Sequence, residues 1–311
     1  MSETRLGRAI LLTPQEVAAR VPDGSHIVVG GFADTINPMA LIRSLVARQV
    51  KNLELSAVAE AWSAEFLIAA GLVRKLRLSN LMFEGLGRCR AISRAIEAGS
   101  VETDDYSHFG LISRLVAGGE GLPFAAVRSM MDTSLESVET FDEPKGRRYV
   151  DPFFAETVYL LPRLQPDMAL IHAARADEDG NIQLFGPSAV IQDQVRAARE
   201  VIVSVEEIVP SRVTRAVPAS TIVPGFLVDA IVWAPFGAHP TGLFSYYGAD
   251  KAHLEEYYEA SRTVSGTNAY LERYIWSIEG DHWEYLRHLG PHRLAHLRAD
   301  PYWGYVREGA R

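Results

Sequence analysis

The stretch VVGGFADTINPMALIRSL, Val28 to Leu45, decides how this chain is read. An apolar, β-branched run that begins at His26 ends on two adjacent glycines. Phe32 follows, and Pro38 opens a segment in which Met39, Ile42, Leu45 and Val46 recur at helical spacing. An apolar run without alternation predicts a strand buried on both faces, as in a parallel sheet. The segment therefore reads as strand, glycine turn, helix. A dinucleotide fingerprint needs GxGxxG and an acidic residue about 20 positions on. Here no third glycine follows Gly31, and no P-loop lysine is present. The turn still gathers a strand end, flexible backbone and a helix N-terminus, so free N–H groups and positive dipole suit a carboxylate or an oxyanion. The plainer alternative is a tight turn that redirects the chain.

The same alternation continues on both sides. TPQE (Thr13–Glu16) is a capping box with Pro14 at the first helical position, predicting a helix to about Val21. LELSAVA (Leu53–Ala59) reads as a strand, and AEFLIAAG and RAISRAIEAG as helices closed by Gly71 and Gly99, where a positive φ is tolerated. MALIHAA (Met168–Ala174), VIVSVEE (Val201–Glu207) and LVDAIVWAP (Leu227–Pro235) are further strands, with a helix near Ser188–Arg199. The pattern implies an α/β fold, a mostly parallel sheet covered by helices. TFDEPKGRRYVDP (Thr140–Pro152) reads as a long exposed excursion. The end of the chain differs: nine of the twelve tyrosines and three of the five tryptophans lie after Phe244. Aromatics at that density bury large areas and often mark interfaces. The expected organisation is an α/β domain over residues 1–245 and an aromatic-rich helical layer over 246–311, packed on that domain, on a partner, or on both.

Composition narrows the partners. The 311 residues are 48% hydrophobic and 23% charged, ordinary for a soluble globular protein. A net charge of −8 with scattered Lys and Arg argues against a nucleic-acid partner, which needs a basic face. The single cysteine, Cys89, excludes an internal disulfide and fits a reducing compartment. No Cys/His cluster has metal-ligand spacing, so no metal site is expected. Apolar stretches fall short of the roughly 20 residues of a membrane span, and the N-terminal one is too brief for a secretory signal. A cytoplasmic location, with no membrane partner, is expected.

Several polar turns fall at predicted strand ends, where open α/β sheets bind ligands. In GSVETDDYSHFGLISRLVAGGEGLPF (Gly99–Phe124), four acids (Glu97 just before, then Glu102, Asp104 and Asp105) precede Tyr106, Ser107 and His108. A carboxylate beside His108 could do acid–base work. The structural alternative is an acidic first turn that complements the dipole of a helix starting near Ser107. Gly118, Gly119 and Gly121 would end that helix and lead into a strand, LPFAAV. His172 follows MALI, DEDGN places Gly180 in a turn, and APFGAHPTG carries His239. A Ser-His-Asp hydrolase lacks its GxSxG elbow. The sheet pattern alone would equally suit a sugar-phosphate isomerase or a non-catalytic partner subunit.

In order, GGFADTINPMALI, DDYSHFGLISRLVAGGEGLPF, LIHAARADEDGNIQLFGP, PGFLVDAIVWAPFGAHPTG and DHWEYLRHLGPHRL resemble the A (alpha) subunit of class I coenzyme A transferases, most of all the glutaconate type, over nearly the whole chain. The resemblance implies the fold shared with ribose-phosphate isomerase and a B (beta) subunit partner in an (AB)₂ assembly. A coenzyme A thioester is implied as substrate, with no permanently bound cofactor. It also implies exchange of CoA between an acyl-CoA and a (di)carboxylic acid through a glutamyl-CoA intermediate on the B subunit. No catalytic residue is then expected in this chain, and it should be inactive alone. Gly30, Gly31 and Phe32 would shape the cleft, Asn37 would donate to substrate, and Glu84, Tyr106 and Ser107 would contact the acyl portion. Relatives of this architecture open rings of CoA thioesters by C–C hydrolysis or decarboxylate them. In the hydrolytic case the segment SVETDDYSH would offer Glu102 or Asp105 as the working acid, with His108 nearby. A third reading is a non-catalytic subunit that binds and positions its partner.

Overall fold

The computed structural model describes residues 4–138, 141 and 145–306. Eight parallel strands carry it: β1 (Ala9–Leu12), β2 (His26–Val29), β3 (Leu53–Ala57), β4 (Val73–Leu78), β5 (Glu102–Asp105), β6 (Met168–Asp177), β7 (Glu200–Val209) and β8 (Ala230–Trp233). Their order is β1-β8-β7-β6-β2-β3-β4-β5, and three short strands complete an eleven-stranded sheet. From β2 the chain steps outward through β3 and β4 to β5. It then returns to β6, beside β2, and steps the other way. The switch point thus lies between β2 and β6, and the stretch Gly30–Phe32 leaves β2 there.

The apolar runs of the sequence have a direct cause. Ile27, Val29, Leu55, Leu170, Ile202 and Val232 enter one core, while Val28, Ala169, Ile171, Val203 and Ile231 enter the other, so successive side chains feed opposite faces. Helices α1 (Pro14–Arg20), α2 (Met39–Arg48), α3 (Ala61–Ala69) and α4 (Arg90–Glu97) cover the first face; α5 (His108–Gly119) and α6 (Ile191–Ala197) cover the second. The capping box forms, with the Glu16 amide donating to Thr13 Oγ1 at 3.2 Å and the Thr13 amide to Glu16 Oε2 at 2.7 Å. Gly71 and Gly99 close their helices at φ +74° and +66°.

One expectation is corrected and two are made more specific. The acids Glu102, Asp104 and Asp105 are not a helical first turn; they form β5, the polar edge strand of the sheet, and α5 begins after them with Ser107 as its N-cap. Charged edge strands resist pairing with other chains, which explains their unstrandlike composition. Phe124–Val127, the expected strand LPFAAV, does form but joins a separate antiparallel sheet with Thr157–Pro162 and Arg147–Val150. The excursion over Thr140–Pro152 therefore ends as that sheet's exposed edge strand; Thr140 and Asp142–Pro144 lie outside the described residues.

The aromatic segment folds as α7 (Lys251–Ala260), α8 (Val264–Tyr274), α9 (His282–Leu289) and α10 (Pro291–Leu297). Tyr257, Tyr270, Tyr274 and Tyr285 share the core of Trp62 and Phe66, so this layer packs over α2–α4. The buried Glu65 ties it down: its carboxylate accepts the amides of Ala91 and Ile92 at the start of α4 (2.8 and 3.0 Å) and the Tyr257 hydroxyl (3.2 Å). Among the described residues no helix is long and apolar enough to cross a membrane.

Candidate active site

β2 ends because β6 keeps running with β7 while the chain turns away. The Gly30 amide donates to Leu170 O at 2.8 Å, the last rung shared with β6. Gly30 packs so closely that an added Cβ would lie 3.1 Å from Ile171 Cγ2. Gly31 adopts φ +137°, and a Cβ there would lie 2.7 Å from Asn37 Oδ1, so only glycine fits. Phe32 and Thr35 exchange backbone hydrogen bonds, each 2.9 Å, making a tight turn whose apex projects Phe32, half exposed at 50%. Ala33 and Ile36 hold left-handed conformations at φ +48° and +52°. For a β-branched residue such as Ile36 that costs about 1–3 kcal/mol, and surrounding bonds must impose it. They do: the Ile36 amide donates to Gly242 O and the Gly242 amide to Asp34 O, both at 2.8 Å.

Asn37 is fully buried. Its Nδ2 donates to Ala33 O (3.0 Å) and Thr35 O (3.1 Å), and its Oδ1 accepts from Ser63 Oγ (3.0 Å). Both amide hydrogens are engaged inside the turn, so the expected donation from Asn37 to substrate gives way to a role in shaping the loop. Between Gly31 and Thr35 two backbone donors are left over. The amides of Gly31 and Asp34 meet no acceptor among the described residues, whereas those of Phe32, Ala33 and Thr35 are taken. An unpaired donor at a strand end is what an incoming carboxylate or thioester oxygen would use.

The neighbouring strand ends line up with this turn. After β3 comes Glu60, fully buried, which no sequence reading singled out. Its Oε2 accepts the amides of Val58 (2.5 Å) and Ala59 (2.9 Å), and its Oε1 accepts Gln194 Nε2 (3.0 Å). Burial, only partly offset by those donors, pushes its carboxyl up to about 7. The one available signal was a lone acid inside the apolar text SAVAEAW. After β4, Glu84 is exposed on the turn of a small hairpin, Met82–Phe83 with Gly87–Arg88. It lies near Asp34, whose carboxyl is raised by burial and further by the Glu84 charge, against the Trp62 indole donating to Asp34 Oδ1 at 2.8 Å.

At the end of β5 the predicted triplet divides. Tyr106 is buried, 2% exposed, and its hydroxyl accepts from Arg114 Nη1 at 2.6 Å; burial pushes the phenol up. It supports the site from within and is not presented to an acyl group. Ser107 accepts the Gly110 amide as N-cap (3.0 Å) and bonds Ser129, while His108 and Phe109 stand exposed at the first turn of α5. Asp105 is half-buried and raised, chiefly by burial and then by Asp104, against Lys145. Glu102 starts β5 and pairs with Arg74 at 3.4 Å, so it sits about 10 Å down the strand from Asp105, away from this edge. The structure therefore groups Gly30, Gly31, Phe32, Asn37 and Glu84 around one turn. It sets Tyr106, Ser107, Asp105 and His108 three strands over, about 15 Å away along the same edge, and leaves Glu102 out.

A second cluster looks catalytic and is not built for it. His172 Nδ1 meets Ser204 Oγ and its Nε2 meets Glu206 Oε1, both at 2.9 Å, in a Ser-His-Glu order. Both His172 and Ser204 are 0% exposed. Glu206 is filled by the Tyr247 hydroxyl (2.7 Å) and the amides of Phe236 (2.7 Å) and Gly237 (3.2 Å). The cluster fastens the loop after β8 to β6 and β7. Among the described residues no group of three or more His, Cys, Asp and Glu could hold a metal ion.

Residues 11–234 match the family model for coenzyme A transferase. This chain belongs to the coenzyme A transferase family. Relatives of this CoA-transferase chain include the A (alpha) component of glutaconate CoA-transferase from Acidaminococcus fermentans, 30% identical over 95% of this chain and 96% of the relative. The corresponding A component of 3-oxoadipate CoA-transferase from Pseudomonas knackmussii is 32% identical over 86% and 94%. An uncharacterized protein of Archaeoglobus fulgidus is 34% identical over 91% of this chain, which spans 63% of that longer protein. The solved glutaconate enzyme superposes with a TM-score of 0.87 at 29% identity, covering 96% of this chain and 98% of the other. The decarboxylase AibA/AibB superposes at 0.77 with 32% identity, covering 86% and 98%.

Proposed function

We propose that this chain is the A component of a heteromeric CoA transferase. The enzyme moves CoA between an acyl-CoA and a carboxylic acid through a glutamyl-CoA intermediate on a B subunit. The observation that carries the reading is the Gly31 turn: two unpaired amides, a glycine that nothing else can replace and an exposed aromatic, all at the switch point of the sheet. Covalent catalysis divides the exchange into steps. The partner's carboxylate attacks the thioester carbonyl, thiolate leaves to give an acyl anhydride, and thiolate returns to form the glutamyl thioester that the acceptor carboxylate resolves. The negative charge developing on the carbonyl oxygen needs preorganised donors, which the Gly31 and Asp34 amides supply. Phe32 and Glu84 face the acyl portion. Ser107 lies further along the edge, while Asn37 and Tyr106 act from behind. In this reading residues 1–245 are the CoA-transferase domain and 246–311 the extension that stiffens it.

The test is reconstitution with the B subunit, assaying acyl-CoA with and without a carboxylate acceptor; transfer requires the acceptor. The similarity to a decarboxylase supports a second reading, in which the same cleft releases CO₂ from an acyl-CoA with no acceptor present. Acceptor-independent CO₂ release would establish it in place of transfer.

A further inference from the structure

We propose that Glu60 is a positioning residue of this cleft: its ionised carboxylate clamps the ends of β2 and β3 together, and with them the Gly30–Asp34 turn. The inference rests on the transferase reading for its kinetic consequence, though not for its structural one. Glu60 sits where the two strand ends meet. It holds the amides of Val58 and Ala59 on its own turn, and Ala59 O in turn accepts the Ala33 amide at 3.3 Å. Across the gap, Gln194 of α6 donates from one nitrogen to both Glu60 Oε1 (3.0 Å) and Val29 O (2.9 Å), the residue before Gly30. Glu60 thus reaches the turn from both sides, through Ala59 to Ala33 and through Gln194 to Val29.

Among the described residues every group that faces the carboxylate is a donor, and none of those acting on it is charged. That surrounding matches the ionised form and fails the neutral one, because a carboxyl hydrogen would point into a ring of N–H groups. The other end of the Gln194 amide, Oε1, is buried and meets no donor among the described residues. Bringing it round means turning over the Gln194 amide, and that would set an oxygen against Val29 O and release the strand end. Burial puts the carboxyl at about 7, so both forms are populated near neutral pH. Protonation should then loosen the turn that carries the free amides.

Glu60→Gln keeps the shape and imposes the neutral form's mismatch at every pH. In the reconstituted complex, wild-type kcat/KM for acyl-CoA should rise through an ionisation near pH 7, and E60Q should lack that limb and run at least tenfold slower at pH 8. Hydrogen exchange of the segment 29–37 in the full chain should be at least tenfold faster in E60Q than in wild type at pH 8 and should converge with it at pH 6. Gln194→Met, which removes the bond to Val29 O, should speed exchange of the same segment at both pH values. Exchange that follows the pH as described in a complex without CoA transfer would leave the clamp standing and remove the transferase reading. Transfer with an unaltered acid limb in E60Q, or unchanged exchange of 29–37 in both variants, overturns the clamp.

Discussion

Two buried carboxylates, Asp250 in the aromatic layer and Glu60 at the strand ends, are treated in opposite ways. Burial alone would raise Asp250, but hydrogen bonds from His239 Nε2 (3.0 Å) and from Arg293 (Nη2 at 2.9 Å) outweigh it and hold the carboxyl below the usual range. Around it stand His239, His253, Tyr285 and Tyr270, with the Arg43 guanidinium 3.7 Å over the Tyr285 ring. Among the described residues Glu60 has only amide donors and no cation, and it is pushed up to about 7. A carboxylate matched to a cation anchors; one matched only to neutral donors remains close to changing state. At the turn itself, Gly31, Ala33 and Ile36 adopt positive φ within six residues.

The largest effect should come from the turn itself. Gly31→Val should lower turnover of the reconstituted enzyme by at least about a hundredfold, the loss expected when an oxyanion donor is displaced, while the chain stays folded by circular dichroism. Retained turnover would remove the turn from the site. In the anchoring region, Asp250→Ala strands Arg293 and removes the partner of His239. Denaturant unfolding should show a loss of about 3–5 kcal/mol, with the turn's own exchange little changed. A loss below about 1 kcal/mol would mean the aromatic layer does not depend on that pair.

The two regions should also answer pH in opposite senses. Burial lowers His239 to about 4, His282 to about 3 and His253 to about 2. Their unfolded values lie near 6.5, so the unfolded chain binds more protons in that window, and stability falls as pH drops below about 6.5. Glu60 is raised from 4.5 to about 7, so the folded chain binds the extra proton. Its contribution is complete below pH 4.5 and is lost as pH rises through 7. E60Q should remove that pH dependence of stability while losing rate. Segment-resolved hydrogen exchange on acidification should find 29–37 loosening as pH falls through 7 and 250–290 opening only below about 6.5; a uniform response along the chain would erase the contrast. The smallest effect belongs to Glu102→Gln. Among the described residues this exposed acid pairs with Arg74, at the wrong end of β5, so its substitution should change rate by less than about twofold.

Much of this was legible in the sequence, and the reasons it stopped are physical. The unalternating strand, the glycine turn and Pro38 before α2 are local signals, and they placed the switch point's loop before any tertiary knowledge. So did Thr13–Glu16, Gly71 and Gly99. β5 was not legible, since ETDD has the composition of a loop and becomes a strand only because the edge of a sheet accepts polar side chains on both faces. The small antiparallel sheet was hidden for a similar reason, with Arg147–Val150 exposed throughout. Asn37 and Tyr106 stand at strand ends but face inward, and facing is set by packing. Nothing local marks Glu60 or Glu65; their burial depends on α6 and on the aromatic layer, both far away in the chain.

The most direct test is thioester exchange by the purified chain alone and after addition of its B subunit, followed with an acyl-CoA and a carboxylate acceptor. The proposed division of the cleft predicts no turnover by the isolated chain and acceptor-dependent turnover by the pair, abolished by Gly31→Val. Brisk exchange by the chain alone would contradict a cleft that this polypeptide only half supplies.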